Sequence, residues 1–252
     1  MKYFVEKGSV VREIWGKSDT ILFIFAGSAA EFALNKAVDW LYFTGRLPAD
    51  PLGRLFSTVT YARKIIFAEN ESALKIIDSI YSIHKVVENN RGKVIPGWAY
   101  RDVLYMLVHY SIASFELLQR RLSVEEKQEV YDVFYRFGKR MQLKGLAKNY
   151  HEWLQQRETD MKNDLVKSSL TIDLFKQYRK HLGAIRYFVL IEGEKLIIPE
   201  RVRALLGFSK FSFLSLIVPL YKFNRKIHLD SLVKKLLLPQ KYSREIAELD
   251  VV

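Results

Sequence analysis

His84 is the residue of this sequence whose type and position best suit metal binding. It lies four residues after Ile80 and three before Val87, so a helix would turn all three side chains toward its interior side. The apolar residues around it recur at helical spacing: Ile76, Ile77, Ile80, Ile83 and Val87. An imidazole buried without a partner costs about 1–3 kcal/mol, so His84 needs either a metal, such as a haem iron, or a backbone carbonyl. The segment alone leaves both interpretations open.

Arg54 and Thr58 form a second candidate binding pair. Asp50 followed by Pro51 is typical of a helix start, and Arg54 and Thr58 are four residues apart, so they share one face of that helix. A guanidinium beside a hydroxyl can bind a carboxylate, including a haem propionate. The alternative is an exposed arginine and a threonine bonded back to its own helix.

His109 lies in a segment, 105–112, that is apolar around much of its circumference. We therefore expect it to be buried, where it could support a cofactor pocket or bond a backbone group of a neighbouring helix. The other three histidines, His151, His181 and His228, have charged or aromatic neighbours and read as surface or loop residues. No two histidines are three or four residues apart, so a zinc site is not expected.

Composition excludes several classes of protein. The 252 residues contain no cysteine, which rules out disulfides, thiolate metal sites and cysteine nucleophiles. With 49% hydrophobic residues but only 12 glycines and 6 prolines, the chain can bury a large core and does not read as a turn-rich β protein. The net charge of +12 attracts phosphates or anionic membrane surfaces. The basic residues are spread over many helices without a nucleic-acid-binding signature, so nucleic acid is not an expected partner.

Two apolar segments raise the question of a membrane. Residues 21–27 and 211–221 are both too short to span a bilayer, and residues 1–7 lack the apolar region of a signal peptide. We therefore expect a cytoplasmic protein. The second segment has basic flanks and could lie on a membrane surface, but we expect it to be buried in the core.

The hydrophobic periodicity predicts a single all-α domain over residues 1–252, with about eight to eleven helices. The predicted segments are 9–15, 20–43 with a break at Gly27-Ser28, 51–67, a His84 helix opening at Asn70 or Ser72 and ending near Asn89, 98–121, 124–137 and 171–181, with more helices to Val252. Residues 45–50 and 92–97 read as loops. Ser123 and Glu126 have the form of a capping box, and the 98–121 helix is apolar enough to be central.

The order of these segments resembles the helical oxygenase family that includes the fungal MpaB-type oxygenases and the bacterial latex clearing proteins, or rubber oxygenases. The matching stretches run from Gly8 to about Tyr242: residues 8–16, 22–27, 50–58, 73–84, 98–109, 122–126, 198–203 and 238–239. The 50–58 stretch resembles the family's D-P-x-x-R-x-x-x-T segment. The 73–84 stretch resembles its helix with a V-x-x-x-H pattern. Each motif alone is weak, and their order and spacing carry the resemblance.

The resemblance implies an all-α fold around haem b, with His84 as the proximal iron ligand. Arg54 and Thr58 would line the haem pocket, and His109 would lie in the pocket or directly behind it. Two positions depart from the family pattern. Ser57 stands where characterised rubber oxygenases can carry a distal lysine, and Val103 replaces the proline of an Asp-Pro pair. These departures leave the haem expectation in place and weigh against polyisoprene cleavage.

The function that the resemblance implies is a haem-b-dependent oxygenase that acts on a hydrophobic substrate, isoprenoid or fatty, with O₂. The alternative is a non-enzymatic helical protein that binds haem or lipid, peripheral to membranes. The basic surface and the 211–226 region would suit a substrate drawn from a membrane.

Overall fold

The computed structural model describes residues 2–224. His228, the Leu238–Pro239 stretch and the helices predicted toward Val252 lie outside the described residues. The described residues form eleven helices of six residues or more and one single-turn helix. Their bounds are α1 (Val10–Trp15), α2 (Ser18–Leu34), α3 (Val38–Phe43), α4 (Arg46–Ala49), α5 (Pro51–Phe67), α6 (Asn70–Arg91), α7 (Gly97–Leu118), α8 (Val124–Arg140), α9 (Tyr150–Asp164), α10 (Ser169–Ile197), α11 (Glu200–Leu206) and α12 (Leu214–Asn224). Between residues 2 and 224, β pairing is limited to two isolated bridges. The predicted all-α fold is confirmed.

Helix starts follow the capping residues of the sequence. The Ser9 side chain accepts a hydrogen bond from the Val11 amide at the start of α1. Asp50 accepts from the Gly53 amide ahead of Pro51, so α5 begins at the predicted Asp-Pro pair. Ser123 and Glu126 form the predicted capping box of α8. Local side-chain bonding therefore fixes these starts.

The predicted break at Gly27 is wrong, because α2 runs unbroken from Ser18 to Leu34. Gly27 is used for close packing: a Cβ there would collide with the ring of Tyr110 and lie 2.8 Å from Ile197 Cδ1. The chain breaks instead at Asn35, whose Oδ1 accepts from the Ala37 amide.

Two smaller predictions also need correction. The loop predicted over residues 45–50 contains the single turn α4, which follows Gly45 in the left-handed conformation at φ 68°. The helix predicted over 171–181 is the first part of the longer α10, which is kinked where Gly183 adopts φ 73° and ψ 172°.

α7 is central, as predicted. It packs against α2, α8, α9 and α10 and buries residues on most of its faces, including Tyr105, Val108, Tyr110 and Phe115. α5 and α6 pack against each other beside this centre, and they carry Arg54, Thr58 and His84. In residues 2–224, no helix has both the length and the apolar character needed to cross a membrane.

The segment 211–221 is not buried in the core as we expected. Ser212 is buried, whereas Phe211, Phe213, Leu216, Ile217 and Leu220 are all exposed. The segment forms a loop and α12 on the outside of α10.

Candidate functional site

His84 lies on α6 with its imidazole held in one orientation. Its Nδ1 is 2.8 Å from the carbonyl oxygen of Ile80, one turn earlier, so Nδ1 carries the hydrogen and donates it. The Tyr100 ring meets the imidazole edge-on, with ring centroids 5.1 Å apart. Burial lowers the pKa of His84, and the charge of Arg54 lowers it further, against the opposing bond to Ile80. The side chain is therefore neutral at neutral pH and keeps a lone pair on Nε2.

Fewer side chains of α6 are buried than the spacing of its apolar residues predicted. Ile77 is fully buried, but Ile83, expected on the interior side, is 48% exposed. His84 is half-buried and faces Tyr100 of α7. The imidazole therefore lies at the margin of the core, where a bound group could reach it.

Arg54 and Thr58 are bonded to each other. Arg54 Nη1 donates to Thr58 Oγ1 at 2.8 Å, and Thr58 Oγ1 donates to the Arg54 carbonyl at 3.2 Å. The threonine is thus bonded back to its own helix, but the arginine is not exposed. Burial lowers the pKa of Arg54, and the charge of Arg46 adds to the effect.

Arg54 has no carboxylate partner among residues 2–224. A guanidinium removed from water without a counter-charge is costly. The charge of Arg54 also lowers the pKa of His84, and the helices that carry the two residues, α5 and α6, pack against each other. The structure therefore brings together three of the predicted site residues, and the arginine among them has no carboxylate partner within residues 2–224.

His109 is separated from these three. It is nine residues after Tyr100 on α7, which at 100° per residue puts it on the opposite side of that helix. Its imidazole hydrogen-bonds the carbonyl of Ile197, and burial, with the charge of Arg157, lowers its pKa to about 3. His109 is thus bonded to α10 and lies within the electrostatic influence of Arg157 on α9, and its role in a cofactor pocket stays a prediction.

A buried ionic cluster beside His109 was missed by sequence reasoning. Arg157 Nη2 of α9 lies 2.6 Å from Glu31 Oε2 of α2, with both side chains almost fully buried. Tyr110 donates its hydroxyl to the same Glu31 oxygen at 2.8 Å. A signal was present: Glu31 interrupts the apolar run of α2, and a charge there must be paired.

Glu194 of α10 is the most unusual group near this cluster. It is 0% exposed, and neither carboxyl oxygen has a hydrogen-bond partner within residues 2–224. Burial raises the pKa of Glu194 well above the ordinary value and so favours the protonated, neutral form of the side chain. When ionised, Glu194 would raise the pKa of the nearby phenols of Tyr110 and Tyr178.

Three carboxylates converge where α7 meets α9. One oxygen each of Asp102, Asp160 and Asp164 lies within 4.8 Å of the others. Arg101 forms a bidentate pair with Asp160, with both bonds 3.1 Å long. Burial raises the pKa of Asp102 to about 7, although Asn35 donates to it. The raised pKa of Asp102 and the ion pair between Arg101 and Asp160 both reduce the repulsion among these three acids.

A surface hollow of about 470 Å³ lies elsewhere, between the start of the chain and α8. Val5, Glu6 and Arg136 are among its lining residues, and none of the four predicted site residues lines it. Hollow volume therefore does not mark the candidate site, which we place by side-chain chemistry.

Comparison with known proteins identifies the family. Residues 15–215, most of the chain, match the family described as ER-bound oxygenase mpaB/B'/Rubber oxygenase, catalytic domain. No curated protein and no solved structure matches the chain. The match confirms the resemblance drawn from the motifs, and it supports a general oxygenase function with a small-molecule substrate and O₂. The chain belongs to the mpaB/rubber oxygenase catalytic-domain family.

Proposed function

We propose that the chain binds haem b through His84 and uses O₂ to oxygenate a hydrophobic small molecule, isoprenoid or fatty. The observation that carries the proposal is the state of the His84 imidazole. The imidazole donates a hydrogen bond from Nδ1 to the Ile80 carbonyl, and the pKa of His84 is lowered. The ring is therefore neutral and has a free lone pair on Nε2. A histidine that binds a metal through one ring nitrogen commonly donates a hydrogen bond from the other ring nitrogen to a carbonyl.

The residues at the α5–α6 interface fit haem b in charge as well as in ligand type. His84 would bind the iron, and Arg54, which lacks a carboxylate partner among the described residues, would bind a propionate. Thr58 would hold the guanidinium in place through its 2.8 Å bond. Haem b, when bound, supplies O₂ binding and activation.

Residues behind His84 fix its ring. Glu88 is buried and accepts hydrogen bonds from the Tyr100 hydroxyl at 3.3 Å and from the Ile95 amide at 3.0 Å. Lys85 neutralises Glu88 through an ion pair of 2.7 Å. These bonds tie the end of α6 and the 92–96 loop to Tyr100, and Tyr100 lies against the imidazole. These contacts would hold the His84 ring in the orientation needed to bind an iron.

A haem- or lipid-binding protein without turnover is the second candidate. The observation that favours it is Ser57, which stands in α5 where rubber oxygenases can carry a distal lysine. Peripheral contact with a membrane belongs to either candidate, because hydrophobic substrates and ligands partition into bilayers.

Isotope-labelled O₂ separates the two candidates. Protein reconstituted with haem is incubated with a panel of fatty and isoprenoid compounds, and the products are analysed by mass spectrometry. We expect label in a product from the wild-type chain and none from His84→Ala, with the exposed His151→Ala variant behaving as wild type. Haem bound without label in any product would overturn the oxygenase assignment and leave the binding protein.

A further inference from the structure

An unusual amount of apolar surface is exposed at the C-terminal end of the described chain. Ile185 is 81% exposed and Leu216 is 70% exposed, far above what core-forming residues show. We use the name C-terminal apolar face for these side chains: Ile185, Phe188, Phe211, Phe213, Leu216, Ile217 and Leu220. Exposed apolar groups that cluster, unlike single ones, mark an interaction site.

The face is continuous. The Phe188 ring of α10 lies 6.3 Å from the Phe213 ring, which lies 5.2 Å from the Phe211 ring. Leu216, Ile217 and Leu220 follow Phe213 at the spacing of one helical face. The aromatic rings of the loop therefore continue into the apolar side of α12.

The rings are held outward by a bonded loop. Glu192 of α10, 2% exposed, accepts a 2.6 Å hydrogen bond from the Phe213 amide, and its backbone carbonyl accepts from Ser212 Oγ at 2.8 Å. Lys195 neutralises Glu192 at 2.5 Å. Since Ser212 points inward and is anchored, its neighbours Phe211 and Phe213 are presented to the outside.

The segment of the chain that carries the face is rich in basic residues. Residues 176–222 contain nine lysines and arginines and three acids. Two of the acids, Glu192 and Glu194, are buried, and the third, Glu200, pairs with Arg203 at 3.3 Å. Lys210, beside Phe211, is exposed. Exposed phenylalanines and leucines with basic neighbours suit an anionic bilayer, into which the rings insert while the lysines remain at the headgroups.

We propose that the C-terminal apolar face docks on the surface of a membrane that contains anionic lipids. Association of two copies through this face is disfavoured, because it would bring two basic surfaces together. The inference rests on the proposed function in one respect: docking would give the oxygenase access to a hydrophobic substrate dissolved in the bilayer. The surface itself stands on the exposed residues and their charge.

Vesicle sedimentation with the full chain tests the proposal. We expect binding to phosphatidylcholine vesicles that contain phosphatidylserine, weaker binding to phosphatidylcholine alone, and loss of affinity with added salt. The double variant Phe213→Ser, Leu216→Ser should bind at least about tenfold more weakly. Lys210→Glu should bind about fivefold more weakly or worse. The matched controls Leu154→Ser and Lys144→Glu, exposed at other sites, should bind as the wild type does.

Absence of vesicle binding by the folded wild-type chain would overturn the docking proposal, and so would equal binding by the double variant. A dimer that sedimentation equilibrium detects in the wild type and not in the double variant would also overturn it, in favour of a second copy. Circular dichroism establishes that each variant is folded. The chain without haem should bind vesicles equally well, so failure of the haem proposal and failure of the docking proposal give different results.

Discussion

His84 and Arg54 acquire their chemistry from what surrounds them. The carbonyl one turn before His84 sets its tautomer, and burial keeps the ring neutral. The spacing of Arg54 and Thr58 predicted their shared face because four residues make about one turn of a helix. Sequence could not locate the Glu31–Arg157 pair, since 126 residues separate its members. It also could not show that the Glu194 carboxyl has no hydrogen-bond partner within residues 2–224, because that depends on every helix packed around it.

Replacing Arg54 with methionine should stabilise the haem-free protein and weaken its binding of haem. Without haem, the variant removes a partly buried cation that has no carboxylate partner in the described chain, so the free energy of unfolding should rise by about 1 kcal/mol or more. Haem affinity should fall by about tenfold or more through loss of a charged hydrogen bond. Chemical denaturation and haem titration measure the two effects. Arg121→Met, at a position exposed to solvent, is the control, and a fall in both quantities would argue against a propionate site.

Glu194→Gln tests the protonation of the buried carboxyl. Because folding raises the pKa of Glu194, the folded state binds a proton that the unfolded state releases above its ordinary pKa near 4.5. The wild type must therefore lose stability as pH rises above that value. The neutral amide should be more stable than the wild type by about 1–3 kcal/mol at pH 8 and nearly equal to it at pH 4.5. Urea denaturation at both pH values measures this, with exposed Glu6→Gln as the control; a difference independent of pH would contradict a protonated Glu194.

Sequence signals close to a helix terminus predicted where helices start, whereas contacts between distant helices could not be predicted. The starts of α1, α5 and α8 followed from capping side chains within three residues of each start. Gly27 was misread as a break, because its partners, Tyr110 and Ile197, come from α7 and α10. The apolar composition of residues 211–221 was visible in the sequence, but it could not show whether another helix covers the segment.

Gly27→Ala should destabilise the fold although alanine favours helices. The added methyl would collide with the Tyr110 ring, and overpacking of this kind costs about 1–3 kcal/mol. At Gly97, the first residue of α7, an added methyl would meet no atom within 4 Å, so Gly97→Ala should be neutral or slightly stabilising. Thermal and urea denaturation of the two variants provide the comparison. Equal stability of both would show that α2 and α7 are less closely packed than the contact with Tyr110 indicates.

At the scale of the whole molecule, the buried ion pair joins distant parts of the chain. Glu31 of α2 and Arg157 of α9 meet beside α7, and Tyr110 of α7 bonds the same carboxylate. Three helices are thus tied at one point inside an apolar core. The buried pair favours this arrangement of the three helices, because a different arrangement would leave the charge of Glu31 or Arg157 unpaired.

Arg157→Met should therefore lower the free energy of unfolding by about 3–5 kcal/mol, because it leaves the Glu31 carboxylate without its positively charged partner. The double variant Glu31→Leu, Arg157→Met should recover much of that loss. Breaking the exposed pair Lys162–Glu158 through Lys162→Met should cost under about 1 kcal/mol. A double-mutant cycle on unfolding free energies measures the coupling, and a cost for Arg157→Met as small as that of Lys162→Met would contradict a structural role for the pair.

An absorption spectrum recorded after haem reconstitution shows whether His84 binds the iron of haem b. We predict a Soret band of a histidine-ligated haem in the wild type, with a matching pyridine haemochrome. The band should be lost or strongly shifted in His84→Ala and unchanged in His151→Ala, with all three proteins folded by circular dichroism. Failure of the folded wild type to take up haem, or an identical spectrum from His84→Ala, would contradict iron ligation by His84.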